Sequence, residues 1–261
     1  MNRRRFLQTS VLGAAPVVFG IGVGTAVDQS LDDHGKGTAA RSARHGTQRI
    51  VWSGTDTEAV ALTFDDGPDP GLTSKVLDAL ARHGVQATFL VIGSQVERHP
   101  DLVRRAVDEG HELGNHTFSH HSLAVLEPDA VRTEVARTAD AIERAVPGTP
   151  VRFFRPPRGI LTGAGAQVAG EHGYDVLLWS CTRGPEAATT PEAVGNYLHH
   201  HLKPGTIACL HDGTGRSEMS RWPWHHGLRA KREVEVAALP GVLDRAIGAG
   251  VRFVTVSDLV R

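Results

Sequence analysis

The chain has 261 residues, 40% hydrophobic and 22% charged, which suits a soluble globular protein with one large domain or two small ones. A formal net charge of -1 excludes the basic surface that nucleic acid or an anionic membrane would require. Two cysteines, Cys181 and Cys209, exclude a disulfide framework; both fall in apolar, strand-like segments and read as buried free thiols.

At the N-terminus, Arg3-Arg4-Arg5-Phe6-Leu7 precedes an apolar run from Val11 to Val27, with Gly24-Thr25-Ala26 offering small residues for cleavage. This segment, residues 1–27, resembles a twin-arginine export signal. The run is short, contains Pro16 and is rich in Gly and Ala, so it suits a permanent membrane anchor poorly. The mature protein is therefore expected outside the cytoplasm, secreted or held at the cell envelope without a membrane span. Residues 28–56 show little periodicity and read as a linker, which leaves 57–261 as the folded domain. Within it, strands are predicted at about 58–65, 87–93, 111–115, 152–155, 174–180, 206–211 and 251–256. Helices fill the gaps. One runs from Thr73 to His83 and stops at Gly84; another opens at Pro128 and ends at Pro147-Gly148; a third opens at Thr190-Pro191-Glu192. Strands separated by helices indicate a parallel α/β sheet, either an open doubly wound sheet or a closed barrel. In both, ligand chemistry gathers at the C-terminal ends of the strands.

The candidate polar residues sit at those ends. Thr63-Phe64-Asp65-Asp66-Gly67-Pro68 places two adjacent carboxylates where the first strand stops. Neighbouring side chains of a regular strand face opposite ways, so a bend at Gly67 is needed to bring both acids into one pocket. One carboxylate can then hold a metal while the other takes a proton. Taken alone, the stretch reads sooner as an Asp-Gly-Pro turn with solvated acids. After the third strand come His116 and His120, whose spacing puts both imidazoles on one face of a helical turn. His121 falls off that face. The chain has 15 histidines, and His199-His200-His201 and His225-His226 read as surface residues. Two His and one carboxylate leave coordination positions open, as a catalytic metal requires. The fourth strand ends in Arg155-Pro156-Pro157-Arg158-Gly159, where Arg155 can keep an Asp ionised and the prolines stiffen the loop. The sixth ends in His211, a titratable group suited to a general acid.

Together, Thr63 to Pro68, His116 to His120, Arg155 to Gly159 and Cys209-Leu210-His211 resemble the polysaccharide deacetylases of the NodB-homology type, carbohydrate esterase family 4. The resemblance covers residues 57–257, with the four motifs in the family's order. It implies a distorted (β/α)7 barrel, which selects between the two architectures left open above. It also implies metal ligation by Asp66, His116 and His120, with zinc the usual ion. Asp65 matches the catalytic base, Arg155 the residue that orients it, and His211 the general acid. The implied reaction is removal of acetyl groups from an N-acetylated polysaccharide such as peptidoglycan or a chitin-like glycan, by a monomeric enzyme. The Arg158 N–H would hold the oxyanion. Pro156, Arg158, Trp222 and Trp224 are the candidate substrate contacts, the last two as stacking platforms or as anchors of their loop.

One motif departs from the family. Where its members carry Asp-x-x-Asp-Trp, one acid of which holds the catalytic His, this chain reads Cys181-Thr182-Arg183-Gly184-Pro185-Glu186. Thr182 falls where the first Asp should be. The expectation is a proton donor that works at lower pH, or one oriented by an acid from elsewhere, such as Glu186. While strand geometry persists, Asp212 points away from His211. Trp179 reads as core. Three other readings stand beside the deacetylase: an O-acetyl esterase of xylan type, a silent glycan-binding protein on the same fold, and a two-His-one-carboxylate iron oxygenase. Asp65 and His211 argue against the last, since iron–oxygen chemistry needs neither.

Overall fold

The structure is a computed structural model that describes residues 48–55, 58–184, 188–215 and 223–261, with the backbone alone at 223–225. The export signal (1–27), residues 28–47 of the linker, Glu186, Trp222 and the side chain of Trp224 lie outside the described residues. Among the described residues no helix is long and apolar enough to cross a membrane.

In chain order the elements are β1 (Ile50–Val51), β2 (Ala59–Asp65), α1 (Thr73–His83), β3 (Thr88–Val91), α2 (Gly93–Arg98), α3 (Pro100–Asp108), β4 (Glu112–Asn115) and α4 (Pro128–Ala145). They continue as β5 (Val151–Phe154), α5 (Gly163–Glu171), β6 (Asp175–Leu177), β7 (Cys181–Thr182), α6 (Pro191–His201), β8 (Ile207–His211), α7 (Pro223–Gly248), β9 (Arg252–Val254) and α8 (Val256–Leu259). The punctuation works as its chemistry dictates. Gly84 ends α1 in the left-handed conformation (φ 63°), its N–H bonding the Ala81 and Leu80 carbonyls. The Thr190 hydroxyl accepts the Ala193 N–H and caps α6, with Pro191 in its first turn.

The strands pair in parallel in the order β1-β6-β5-β4-β3-β2-β8-β7, and β9 adds to the start of β2. Alternation along β2 divides the core. Val60, Leu62 and Phe64 face the helices and pack with Val76, Leu77 and Leu80 of α1. Ala59 and Ala61 face inward with Leu90, Phe153, Leu177 and Ile207, where Val256 and Leu259 of α8 join the same cluster. Burying one such large side chain contributes about 2–3 kcal/mol. A bridge between Ser53 and Thr206 links the chain after β1 to the start of β8, so the curled sheet closes into a distorted barrel.

Two expectations need correction. The strand expected at 174–180 is confined to β6 and stops at Leu177, and a separate two-residue strand, β7, follows from Cys181. The break has a cause: the Leu177 and Leu178 carbonyls accept from the Arg155 guanidinium at 3.2 and 2.9 Å instead of continuing a ladder. Residues 50–51, read as linker, are a strand instead. Ile50 and Val51 align with Val176 and Leu177, Val51 is buried, and the Gly54 N–H bonds the Gly205 carbonyl at 2.8 Å. Val51 packs into the interior cluster, while Ile50 beside it stays exposed.

Candidate active site

Parallel register brings Asp65 of β2 level with His211 of β8, and Thr63 level with Cys209. All four have the parity of the inward-facing Ala61 and Ile207, so all face the barrel interior at its C-terminal end. Asp66 is released from that alternation by its backbone. Its φ of 76° lies in the left-handed region, which swings its carboxylate into the pocket beside Asp65. The bend expected at Gly67 therefore falls one residue earlier. Gly67 serves a different need: a Cβ there would lie 2.3 Å from the Asp212 carboxylate. Across the contact, a Cβ on Gly213 would lie 2.2 Å from the Asp66 carbonyl oxygen. Only glycine lets the ends of β2 and β8 approach so closely.

Arg155, at the end of β5, is fully buried and aims its guanidinium at Asp65. Nη1 donates to Asp65 Oδ1 at 2.5 Å and to Thr63 Oγ1 at 2.8 Å, while the other nitrogens are held by the Leu177 and Leu178 carbonyls. Burial pushes the Asp65 carboxyl upward, but Arg155, then His116 and His211, outweigh it and hold the group below the usual carboxylate range. Asp65 is thus ionised and fixed in direction.

His116 follows β4. Its Nδ1–H donates to the Arg155 carbonyl at 2.7 Å, which leaves Nε2 as a lone-pair donor facing Asp66 Oδ1 at 3.7 Å. His120 Nε2 lies 3.2 Å from the same oxygen. Asp66 Oδ1 is buried and receives no hydrogen bond among the described residues. Burial would raise the Asp66 carboxyl; His120, Arg232, His211 and His116 together pull it well below the usual range. An orphaned carboxylate oxygen between two imidazole nitrogens, all within 4.8 Å of one another, fits a divalent metal ion. The two histidines converge by a different route from the helical turn expected. Thr117 (φ 66°) and His120 (φ 57°) are left-handed in a loop. Glu134 of α4 accepts the Phe118 and Ser119 N–H groups, and Asn115 Oδ1 accepts that of Thr117, which replaces the helical bonds. His121 turns to the Ser119 hydroxyl. His199, His200 and His201 end α6, away from the pocket.

On the opposite wall, His211 Nδ1 lies 3.2 Å from Glu235 Oε1 on α7. Glu235 Oε2 in turn accepts from Arg232 Nη1 at 3.4 Å, and Arg232 Nη2 donates to Asp66 Oδ2 at 3.1 Å. Glu235 and Arg232 were not anticipated from the sequence. A signal existed: α7 buries Leu239, Val242, Leu243 and Ala246, and the same stripe extended N-terminally lands on Glu235 and Arg232. Charged residues at core-stripe positions mark a partner across the interface. Asp212 does point away; its Oδ2 accepts the Thr73 hydroxyl at 2.7 Å, and burial pushes it up to about 8.

Asp65, Asp66, His116, His120, His211 and Arg232 line a pocket of about 230 Å³ together with Arg158, Trp179, Thr182 and Cys209. Cys209 Sγ lies 3.4 Å from Asp65 Oδ2, and burial pushes its thiol well up, so it stays protonated. Both cysteines are free and buried. Arg158 is exposed at the rim with φ 61°, whereas Pro156 is buried behind it. Trp179, expected in the core, is half-buried against the interior cluster and also presents its ring to the pocket, 5.6 Å from the Arg155 guanidinium.

Comparison with known proteins places the chain among a set of relatives. The family model for polysaccharide deacetylases matches residues 53–177. A peptidoglycan-N-acetylglucosamine deacetylase of Bacillus cereus is 36% identical over 218 residues, covering 82% of this chain and 94% of its own. A chitooligosaccharide deacetylase of a Bradyrhizobium species is 41% identical over 157 residues, 60% of this chain and 72% of its own. The crystal structure of a peptidoglycan N-acetylglucosamine deacetylase in complex with a naphthyl N-oxidanyl-benzamide superposes with a TM-score of 0.71 at 30% identity, covering 81% of this chain and 92% of that one. A family 4 carbohydrate esterase from Streptomyces lividans in complex with acetate gives 0.62 at 29% identity, covering 76% and 93%.

Proposed function

The chain belongs to the polysaccharide deacetylase family, and on that footing we propose that it is a metal-dependent hydrolase removing acetyl groups from an N-acetylated amino-sugar polysaccharide. Peptidoglycan and chitin-like glycans are the leading substrates, by likeness to relatives named for them. The observation that carries the reading is the division of labour between neighbouring acids: Asp65 pinned by Arg155, Asp66 left with a bare oxygen between two imidazoles.

Asp66, His116 and His120 would hold the ion, with zinc our choice for a site of two imidazoles and one carboxylate. Bound there, the ion supplies Lewis acidity, polarising the acetyl carbonyl and acidifying a water. The chain's own residues do the rest. Asp65 takes the proton of the attacking water, because Arg155 keeps it ionised and aimed. The Arg158 N–H, at the pocket rim, is our candidate donor to the oxyanion. His211 protonates the departing amine, yielding acetate and a free amino sugar. Trp179 and Arg158 form the described part of the substrate wall.

Acetate release is the test, measured on peptidoglycan, chitooligosaccharide and acetylxylan, with chelator and with added zinc. Release from the first two, lost on chelation and restored by zinc, is expected; release from acetylxylan alone would make the protein an O-acetyl esterase. Because Thr182 stands where relatives carry an acid, a catalytically silent glycan-binding protein is the second reading, and glycan binding without acetate release would establish it. We further propose export through the paired arginines and a monomeric mature form. Retention of an Arg4→Lys/Arg5→Lys variant in the cytoplasm and a monomer mass by light scattering are the outcomes expected.

A further inference from the structure

We propose that Glu235 is the positioning residue for the general acid, so that the C-terminal helix α7 completes a site otherwise assembled from strand ends. The inference rests on the deacetylase reading. His211 ends β8 with only its ring free to turn, and a proton donor must present one nitrogen to the leaving group throughout the reaction. Glu235 Oε1 stands 3.2 Å from Nδ1. The Nδ1–H therefore donates to a carboxylate, and Nε2 is left facing the pocket. Glu235 is itself buried, and its second oxygen is held by Arg232 one helical turn earlier. Arg232 reaches past it to Asp66 Oδ2 at 3.1 Å. One i,i+3 pair on α7 thus spans the pocket from the metal side to the acid side. A buried carboxylate is costly unless each oxygen has a donor, and here Arg232 and His211 supply both.

No other carboxylate among the described residues can do this work. Asp65 belongs to Arg155, Asp66 faces His116 and His120, and Asp212 is turned to Thr73. Thr182, level with Cys209 across the β7–β8 ladder, contributes only a hydroxyl to this wall. In the step that Glu235 serves, the C–N bond of the tetrahedral adduct breaks and its electron pair goes to nitrogen. That nitrogen takes the proton from His211 Nε2, and acetate keeps both oxygens. The imidazole is left neutral, with Nδ1–H still on Glu235.

A role through the acid can be separated from a structural one by the leaving group. An amine must be protonated to depart, whereas a phenolate leaves unaided. Glu235→Gln is expected to slow acetate release from an N-acetyl glycan by about a hundredfold in kcat, with little change in KM. Hydrolysis of an aryl acetate by the same variant should fall far less, by under about tenfold. Equal losses on both substrates, or no loss on the amide, would overturn the proposal. Nitrogen-15 NMR of labelled histidine supplies an arm that needs no substrate. The His211 signal, assigned with His211→Gln, should be Nδ1-protonated in wild type and lose that tautomer preference in Glu235→Gln; an unchanged tautomer overturns the proposal. Wild-type protein that releases no acetate would refute the deacetylase reading instead, and the NMR arm would still decide the place of Glu235.

Discussion

Asp66 carries the largest consequence of a single backbone angle. An extended φ would send its carboxylate to the helix side, among Leu62 and Phe64 neighbours, where a charge has no partner. At φ 76° it meets two imidazoles and Arg232 instead. Strain of this kind is kept only where surrounding contacts determine it, and here the Gly213 contact does so. At this scale Asp65→Asn should lower acetate release by about 10³-fold or more while metal content, read by atomic emission, stays at wild-type level. Asp212 gives a pH prediction. Its carboxyl rises from an ordinary 3.8 to about 8 in the fold. Across that window the folded protein holds a proton that the unfolded chain has lost, so this group's contribution to stability falls as pH rises. Asp65 and Asp66 act oppositely: their contribution is present above 3.8 and is lost on acidification. Replacing Asp212 by Asn should therefore move the difference in Tm in the variant's favour between pH 6 and pH 8, the upper part of the window between the unfolded and folded values. A constant difference would show that Asp212 is ionised throughout.

At the scale of elements, strand ends and one helix face build the site. β2 and β8 deliver Asp65 and His211 because their register matches and their parity agrees. Their ends also meet backbone to backbone at Gly213. A methyl group there has to displace the Asp66 carbonyl, so Gly213→Ala should weaken metal affinity by about 10-fold or more in a calorimetric titration. The helix α7 docks through Leu239, Val242 and Leu243. Leu239→Ala should cost about 2–4 kcal/mol in denaturant unfolding. The periodicity of α7's apolar stripe is legible in the chain. That Arg232 and Glu235 lie on it is equally legible, yet which acids and imidazoles they meet depends on the helix's docking angle, which no local pattern encodes. For the same reason the break between β6 and β7 was hidden: the Arg155 guanidinium that takes the Leu177 and Leu178 carbonyls follows a strand 22 and 23 residues upstream of them.

For the whole molecule, the boundary of the domain is the testable matter. β1 lies on the far edge of the sheet from β7, yet it buries Val51 and sits beside the bridge that closes the barrel. A chain starting at residue 58 should melt roughly 5 °C below one starting at residue 44, since it loses about 2 kcal/mol of apolar burial and the β1–β6 ladder. Equal melting temperatures would show that β1 is dispensable. Residues 50–51 escaped the sequence reading because a two-residue strand has no period to detect. The seven longer segments were readable because their apolar runs are bounded by Gly and Pro.

By itself the sequence determined the order of strands and helices, which residues share a face within each strand, and that the acids and imidazoles cluster at strand ends. Those properties are local, set by side-chain parity, propensity and turn chemistry over a few residues. Only the tertiary structure decided that Asp65 stands level with His211, that Asp66 turns back through a left-handed residue, and that Glu235 stands beside His211 Nδ1. Register and docking are fixed by the packing of distant segments against one shared core. Glu235 lies 24 residues from its imidazole, and only that shared core brings the two together.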